Sequence, residues 1–146
     1  MPLVVEKIEN GTVIDHITAG KGLRVLDILG IRPGYEGRVA LVMNVPSKKM
    51  GRKDIVKIEG KFLDEREVNK IALIAPQATL NIIRAGEVSE KMAVKLPSSI
   101  SGVFRCPNPR CITNFERMSS RFIIERGPRM RCAYCERVFS PDEVVG

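Results

Sequence analysis

The chain has 146 residues, which is enough for one ordinary domain or two small ones. Its 44% hydrophobic and 28% charged residues exclude a disordered chain, and its apolar runs fall short of the roughly 20 residues of a membrane span. The net charge of +7 is compatible with nucleic-acid binding, but there is no tryptophan and only 5% aromatic residues on which bases could stack. We therefore expect neither a nucleic-acid nor a membrane partner, since an anionic small ligand or an acidic protein surface suits the same charge.

Alternating strand-like and helix-like segments fill the first two thirds of the chain. GTVIDHIT (11–18) is short, β-branched and bounded by glycines, which predicts a strand. KGLRVLDILG (21–30) has leucines spaced three apart and ends in a glycine, which indicates a helix. RVALVMNVP (38–46) and RKDIVKIEGKF (52–62) predict two further strands, the first of which ends at a proline.

A second helix and a last strand region follow. DEREVNKIALIAP (64–76) begins with a capping box formed by Asp64 and Glu67 and ends at a proline. ATLNIIRAG and EVSEKMAVKL (78–96) predict either a final strand pair or one bent strand. This order of elements is that of a ferredoxin-like βαββαβ sandwich, in which two helices cover one face of an antiparallel sheet.

A change in composition divides the chain near LPSSISG (96–102), where proline, serine and glycine cluster without periodic apolar residues. We expect a first domain at 1–97 and a second at 103–146, with a loop between them. The predicted fold class is therefore α+β, with the ferredoxin-like sandwich followed by a small all-β domain that contains all four cysteines.

The cysteines form two close pairs, Cys106-x4-Cys111 and Cys132-x2-Cys135. This spacing predicts one structural zinc ion held by two knuckles, and in so small a domain the metal should supply much of the folding free energy. Iron and two disulfides are alternatives. Disulfides need an oxidising compartment, whereas MPLVVEKIENG at the start lacks the features of a signal peptide, so we expect a cytoplasmic protein. A catalytic zinc would usually include a histidine, and the single histidine lies about ninety residues away.

That histidine, His16, directly follows Asp15 in the first predicted strand. In a regular strand the two side chains point to opposite faces, which disfavours the hydrogen bond of a catalytic pair. They are equally well explained as two polar residues at the end of a strand. The alternation also places Lys53 and Lys57 on one face of a later strand, and these lysines, with His16 and Lys91, could hold a phosphate chain as point charges.

Five stretches carry a resemblance to a known family: GTVIDHI (11–17), MGRKDIVKIE (50–59), APQATLNII (75–83), CPNPRCI and RCAYCE. Together they resemble the regulatory chain of aspartate carbamoyltransferase over nearly the whole length. The resemblance implies a non-catalytic chain of pyrimidine biosynthesis, with an allosteric domain that binds ATP or CTP and a zinc domain that docks onto a catalytic chain. It also implies that two regulatory chains pair through the first domain, within an assembly of catalytic trimers and regulatory dimers.

The resemblance further implies the residues of each site. His16 and Lys91 would face the phosphates, Asp15 and Lys57 would lie near the ribose, and residues 5–8 would meet the base mainly through their backbone. The implied nucleotide contacts are Val5, Glu6, Ile8, Asp15, His16, Lys57, Asn81, Ile83, Val88 and Lys91. The implied contacts with the catalytic chain are Asn108, Tyr134 and Glu136.

Three positions depart from the family pattern. Gly86 stands where some members carry a tyrosine near the base, so a side-chain contribution is lost there. Arg110 replaces a smaller polar residue and Ala133 stands where a lysine can occur, so we expect docking with some different contacts. Two other classes of protein remain as alternatives: a zinc-ribbon nucleic-acid-binding protein, and a stand-alone enzyme that uses Asp15 and His16.

Overall fold

The computed structural model describes residues 8–145, and the chain divides into two compact units, Met1–Lys95 and Leu96–Gly146. The elements of the first unit are β1 (Gly11–Thr18), α1 (Gly22–Ile28), β2 (Val39–Ser47), β3 (Gly51–Glu59), α2 (Glu65–Ile74), β4 (Thr79–Arg84) and β5 (Glu87–Ala93). The predicted order of elements is confirmed, and the region after α2 forms a strand pair, not one bent strand.

The five strands form one antiparallel sheet in the order β2-β3-β1-β4-β5. The first four strands have the predicted ferredoxin-like arrangement, and β5 is added at the β4 edge. Both helices pack against the same face of the sheet and bury its apolar side chains. This core contains Ile14, Ile17, Val25, Leu29, Val56, Ile58, Ile71, Ala72 and Leu80.

Local signals explain where the helices begin and end. The Asp64 carboxylate accepts the Glu67 N–H at 2.8 Å, and the Glu67 carboxylate accepts the Asp64 N–H at 3.2 Å, which confirms the predicted capping box. After α1, Gly30 has a φ of +70°, a left-handed conformation that favours glycine at a helix end. Leu23, one of the evenly spaced leucines, is 61% exposed, because α1 turns Val25 into the core instead.

Asp54 of β3 is completely buried, although the two residues before it, Arg52 and Lys53, are basic and at least partly exposed. Its carboxylate accepts the backbone N–H groups of Gly20 at 3.0 Å, Gly22 at 2.9 Å and Asn44 at 2.8 Å. The two glycines lie at the turn into α1, and Asn44 lies where β2 is irregular, with a φ of +62°. One buried carboxylate therefore ties the start of α1 and the irregular part of β2 to β3.

The second unit is built on a four-stranded antiparallel sheet in the order β6-β7-β8-β9. Its elements are β6 (Ser99–Ser101), β7 (Arg121–Glu125), β8 (Arg129–Cys132), β9 (Val138–Phe139) and the short helix α3 (Pro141–Val145). The predicted small β domain is confirmed. Residues 99–101, expected in a loop, form a strand because Ile100 pairs with Phe122 and both are buried. No helix in the described part of the chain is long and apolar enough to cross a membrane.

Candidate metal centre and open sheet face

The four cysteines come together in the second unit, with their sulfur atoms all within 4.8 Å of one another. The Cys106 and Cys135 sulfurs are 3.8 Å apart, and the Cys111 and Cys132 sulfurs are 3.7 Å apart. Sulfurs in a disulfide would be about 2.05 Å apart, so these are four free thiols. Four sulfurs about 2.3 Å from a central zinc ion stand about 3.8 Å apart in a tetrahedron. The cluster therefore has the size and the donor atoms of a tetrahedral metal site.

Asparagine side chains shape the first knuckle. The Asn108 side chain accepts the Arg110 N–H at 3.1 Å, and its backbone oxygen accepts the Cys111 N–H at 3.0 Å. The Asn114 amide donates to the backbone oxygens of Cys106 at 3.0 Å and of Asn108 at 2.7 Å. Asn108, expected at a partner interface, is only 8% exposed and holds the knuckle in shape.

The second knuckle begins at the end of β8. The Cys132 N–H donates to the Arg137 oxygen at 2.9 Å, and the Glu136 N–H donates to the Cys132 oxygen at 2.9 Å. Glu136 itself has a φ of +64°, so the chain turns sharply there. The other two residues expected at an interface, Tyr134 and Glu136, are exposed on this turn.

The surroundings of the four thiols shift their pKa values in different directions. Burial, reinforced by neighbouring thiols, raises the pKa of Cys106 and of Cys132. At Cys111, burial also acts upward, but hydrogen bonds from Thr113 outweigh it and lower the pKa. At Cys135, burial again acts upward, and hydrogen bonds from a backbone N–H and a side-chain amide lower the pKa to about 7. A metal ion held by all four sulfurs would therefore have to displace protons from at least Cys106 and Cys132.

A row of directly opposite residues crosses four strands of the first unit. Lys57 of β3 lies opposite Val13 of β1, Val13 lies opposite Asn81 of β4, and Asn81 lies opposite Lys91 of β5. Directly opposite residues share a face of the sheet, and this face is the one away from the helices, since Ile14 next to Val13 points into the core. We call this surface, built around the row, the open face.

Two neighbouring rows extend the open face. Gly11, Ile83 and Val88 form the row on one side, and Asp15, Thr79 and Ala93 form the row on the other. The structure therefore brings six predicted nucleotide contacts onto one face: Asp15, Lys57, Asn81, Ile83, Val88 and Lys91. Ile8, just before β1, is 5% exposed. Val5 and Glu6 lie outside the described residues.

The predicted separation of Asp15 and His16 onto opposite faces is wrong, because β1 contains a bulge. Three steps along β1, from Ile14 to Ile17, match only two steps along β3, and His16 has a φ of +56°. Ile14 and Ile17 are therefore both buried, while the side chains of Asp15 and His16 are 26% and 23% exposed. The nearest imidazole and carboxylate atoms are 4.0 Å apart, too far for the hydrogen bond of a catalytic pair.

Each side chain of the bulge has another partner. The Asp15 carboxylate lies 3.0 Å from the Lys53 ammonium group, and the His16 Nδ1 atom lies 3.0 Å from the Thr79 hydroxyl oxygen. Burial acts to raise the pKa of Asp15, but the hydrogen bonds from Lys53 and from the His16 N–H outweigh it, so the pKa lies below its ordinary value. The carboxylate therefore stays ionised at neutral pH and restrains one of the lysines of the open face.

Sequence reasoning missed two side chains that touch predicted site residues. Thr79 contacts His16, and only the register between β1 and β4 brings them together, so the sequence carries no signal for it. The Thr113 hydroxyl lies 3.1 Å from the Cys111 sulfur. For this contact the sequence does carry a signal, because a hydroxyl residue stands two positions after a predicted metal ligand. The predicted sharing of a face by Lys53 and Lys57 is consistent with β3, in which the residues between them alternate with buried ones.

Comparisons with known proteins identify the family to which both units belong. Residues 3–95 match the family model described as aspartate carbamoyltransferase regulatory chain, allosteric domain, and residues 98–145 match the metal binding domain of the same chain. The chain is 56% identical over 146 residues to the aspartate carbamoyltransferase regulatory chain of Pyrococcus horikoshii, covering 98% of this chain and 96% of that one. It is 58% identical over 147 residues to the regulatory chain of Saccharolobus solfataricus, covering 98% and 92%. These relatives are named as regulatory chains, so the chain belongs to the family of aspartate carbamoyltransferase regulatory chains and is not a catalytic subunit.

Proposed function

We propose that the open face binds a nucleoside triphosphate, ATP or CTP, as the allosteric effector. The observation that carries this proposal is the row across β3, β1, β4 and β5 that contains Lys57, Asn81 and Lys91, with Val13 between Lys57 and Asn81. From β3 to β5 the row spans three strand spacings, about 14 Å at the backbone. That separation allows one lysine to meet the sugar and the other to meet the phosphates, as the family resemblance implies.

The three rows offer three kinds of contact. Ile83 and Val88 supply apolar surface for the base, the central row supplies an amide and two ammonium groups, and the bulge supplies a carboxylate and an imidazole. The ends of the face therefore differ in polarity along the direction of the strands. The apolar row suits the base and the ammonium groups suit the phosphates, while the ionised Asp15 carboxylate suits the hydroxyl groups of the ribose.

Removing one hydrogen-bond donor to the phosphates from the open face should weaken binding of ATP and CTP. We expect His16→Ala and Lys91→Ala each to raise the dissociation constant roughly 10-fold or more, since hydrogen bonds to charged groups contribute about 1.5–3 kcal/mol. Calorimetric titration of the full chain measures this. Arg66→Ala removes a charge from the exposed surface of α2, which packs on the other side of the sheet, and should bind like the parent chain. Unchanged affinity in both open-face variants would contradict the assignment of the open face as the nucleotide site.

We propose further that the cysteine cluster holds one structural zinc ion through Cys106, Cys111, Cys132 and Cys135. The distances between the sulfurs support tetrahedral coordination, and four protein ligands leave no open position for chemistry. Zinc bound there would join the two knuckles and offset the small apolar core of the second unit. Elemental analysis of the purified chain tests the identity of the metal: one zinc per chain is expected, and iron would overturn this assignment.

The second unit is also the proposed contact with the catalytic chain. Near the metal site it exposes large apolar side chains: Phe115 is 73% exposed, Ile112 50% and Tyr134 43%. Exposed apolar residues grouped on so small a unit are typical of a docking surface. Glu136 and Arg110, both exposed, would add polar contacts at its rim. Co-purification with a catalytic chain tests this contact, and its loss in Tyr134→Ala would support it.

We infer that the complete molecule is a cytoplasmic hetero-oligomer that controls pyrimidine biosynthesis. Regulatory chains would pair through their first units, and each would transmit the binding of nucleotide to a catalytic chain through the second unit. A nucleotide shifts such an assembly only by its difference in affinity between two states, typically about 1–3 kcal/mol of coupling. Light scattering of the mixed chains tests the pairing, because a regulatory chain that stays monomeric would contradict it.

A further inference from the structure

The hydroxyl of Thr113 lies against one of the four sulfurs. Its oxygen is 3.1 Å from the Cys111 sulfur, which is close for a hydrogen bond to sulfur. Thr113 sits in a one-turn 3-10 helix, Ile112–Asn114, that starts directly after Cys111. Thr113 therefore places a side-chain hydroxyl directly beside one sulfur of the cluster.

The corresponding position of the second knuckle has no such hydroxyl beside its sulfur. The Cys132 sulfur accepts the Cys135 N–H at 3.5 Å. Two residues after Cys132, in the position that Thr113 has after Cys111, stands Tyr134, whose side chain is 43% exposed. The two knuckles therefore differ in the side chain at this position.

Neighbouring contacts hold the Thr113 turn in place. Asn114, the next residue, donates to the backbone oxygens of Cys106 and Asn108 and accepts from the Arg105 guanidinium group at 2.9 Å. These bonds tie the turn to the opposite arm of the first knuckle. The fold of the first knuckle therefore holds the threonine oxygen beside the Cys111 sulfur.

We propose that Thr113 is a positioning residue for the metal: its hydroxyl donates to the Cys111 thiolate, aims that sulfur at the ion and slows the release of the ion. A metal-bound thiolate carries no proton to donate, so the hydroxyl must be the donor in this contact. Hydrogen bonds to ionised acceptors are stronger than neutral ones. This inference rests on the proposed metal site, and it adds a residue that the cysteine spacing does not indicate.

The experiment compares three variants of the full chain loaded with zinc. Thr113→Val removes the hydroxyl at nearly constant volume, and Thr113→Ser keeps it. Ser119→Ala removes an exposed hydroxyl from the same unit as the matched control. Transfer of zinc to a chelating dye should be about 10-fold faster or more in Thr113→Val, since loss of such outer-shell partners typically costs 10–100-fold. The serine and control variants should release zinc at the parent rate.

A second readout keeps the test independent of folding losses. In the cobalt-substituted chain, removal of a hydrogen bond to sulfur makes the thiolate a better electron donor, so the sulfur-to-cobalt absorption band should move to longer wavelength in Thr113→Val and in Thr113→Ala, and not in Thr113→Ser. An unshifted band with parent release rates in both the valine and the alanine variants would overturn the role of Thr113. A parent chain that binds neither zinc nor cobalt would instead overturn the proposed metal site and, with it, this inference.

Discussion

At the scale of single residues, the sequence identifies reactive side chains but not the backbone conformation that orients them. The composition marks His16 as the only histidine, and strand alternation predicts that it points away from Asp15. The structure has a bulge there, because His16 takes a positive φ that non-glycine residues seldom adopt. No residue type in GTVIDHIT indicates this conformation, so the contacts with Lys53 and Thr79 could not be predicted.

Asp15→Asn should change how stability depends on pH. The pKa of Asp15 lies below its ordinary value of 3.8 in the folded chain. A carboxyl group with a depressed pKa stabilises the fold fully above its unfolded pKa, and this contribution is lost as the pH falls through the folded pKa. We therefore expect Asp15→Asn to be less stable than the parent at neutral pH, with a difference that shrinks as the pH falls below 3.8.

Denaturant unfolding of both chains at about pH 7 and about pH 3 measures that difference. Asp27→Asn is the matched control, because Asp27 pairs with Arg32 at 3.6 Å while both side chains are mostly exposed. Exposed pairs of this kind contribute little, so the control should follow the parent at both pH values. A difference for Asp15→Asn that stays constant between the two pH values would contradict the assigned shift.

At the scale of elements, sequence patterns predict strands and helices well and their pairing poorly. The capping box of α2 and the glycine after α1 are local signals, and both are confirmed. Which strands lie side by side depends on contacts between distant segments. The row that joins Lys57, Asn81 and Lys91 needs β1 to lie between β3 and β4, an order that the predicted ferredoxin-like sandwich contains, and it also needs a register between the strands that periodicity does not give.

Asp54 makes contacts between secondary-structure elements that the sequence does not indicate. Asp54→Ala would leave three backbone N–H groups without their partner. Each buried unsatisfied group costs about 1–3 kcal/mol, so we expect a loss of about 3 kcal/mol or more in the free energy of unfolding. Chemical denaturation of the first unit, followed by hydrogen exchange of β1 and β3, measures the loss.

Asp54→Asn and Asp27→Ala make that measurement specific. The asparagine keeps one acceptor oxygen and should fall between the parent and the alanine variant. Asp27 lies on α1 with its side chain 68% exposed, so its replacement should cost less than about 1 kcal/mol. Equal losses in Asp54→Ala and Asp27→Ala would show that the buried carboxylate does not hold α1 and β2 as described.

At the scale of the whole molecule, the two units are stabilised in different ways. The first unit has an extensive apolar core beneath its two helices, whereas the second has a few buried residues, among them Phe122 and Met130, beside the cysteine cluster. The cysteine spacing was enough to predict four sulfurs in one cluster, because two short knuckles have few ways to meet. The predictions of a nucleotide ligand and of a catalytic partner came from the family resemblance, since neither charge nor composition distinguishes one anionic ligand from another.

Removal of the metal should therefore unfold one unit and spare the other. We expect a strong chelator to abolish protection from hydrogen exchange at Ile100, Phe122 and Met130, while β1, β3 and β4 stay protected. The same treatment should release the catalytic chain, because the docking surface that we propose for it belongs to the second unit. Zinc added back should restore both. A second unit that stays protected after complete removal of the metal would refute this account.

The bulge in β1 also bears on how the open face can change over generations. One residue of the Asp15–His16 pair is surplus to the pairing with β3. Substitution of a codon can alter one side chain at a time, but loss of one codon here would restore strict alternation. Because Ile14 and Ile17 both point inward, the residues on either side of the gap would keep their directions, and the open face would lose one of the two outward side chains of the bulge. Descendants can therefore shorten this strand here only by giving up the aspartate that holds Lys53 or the histidine that contacts Thr79.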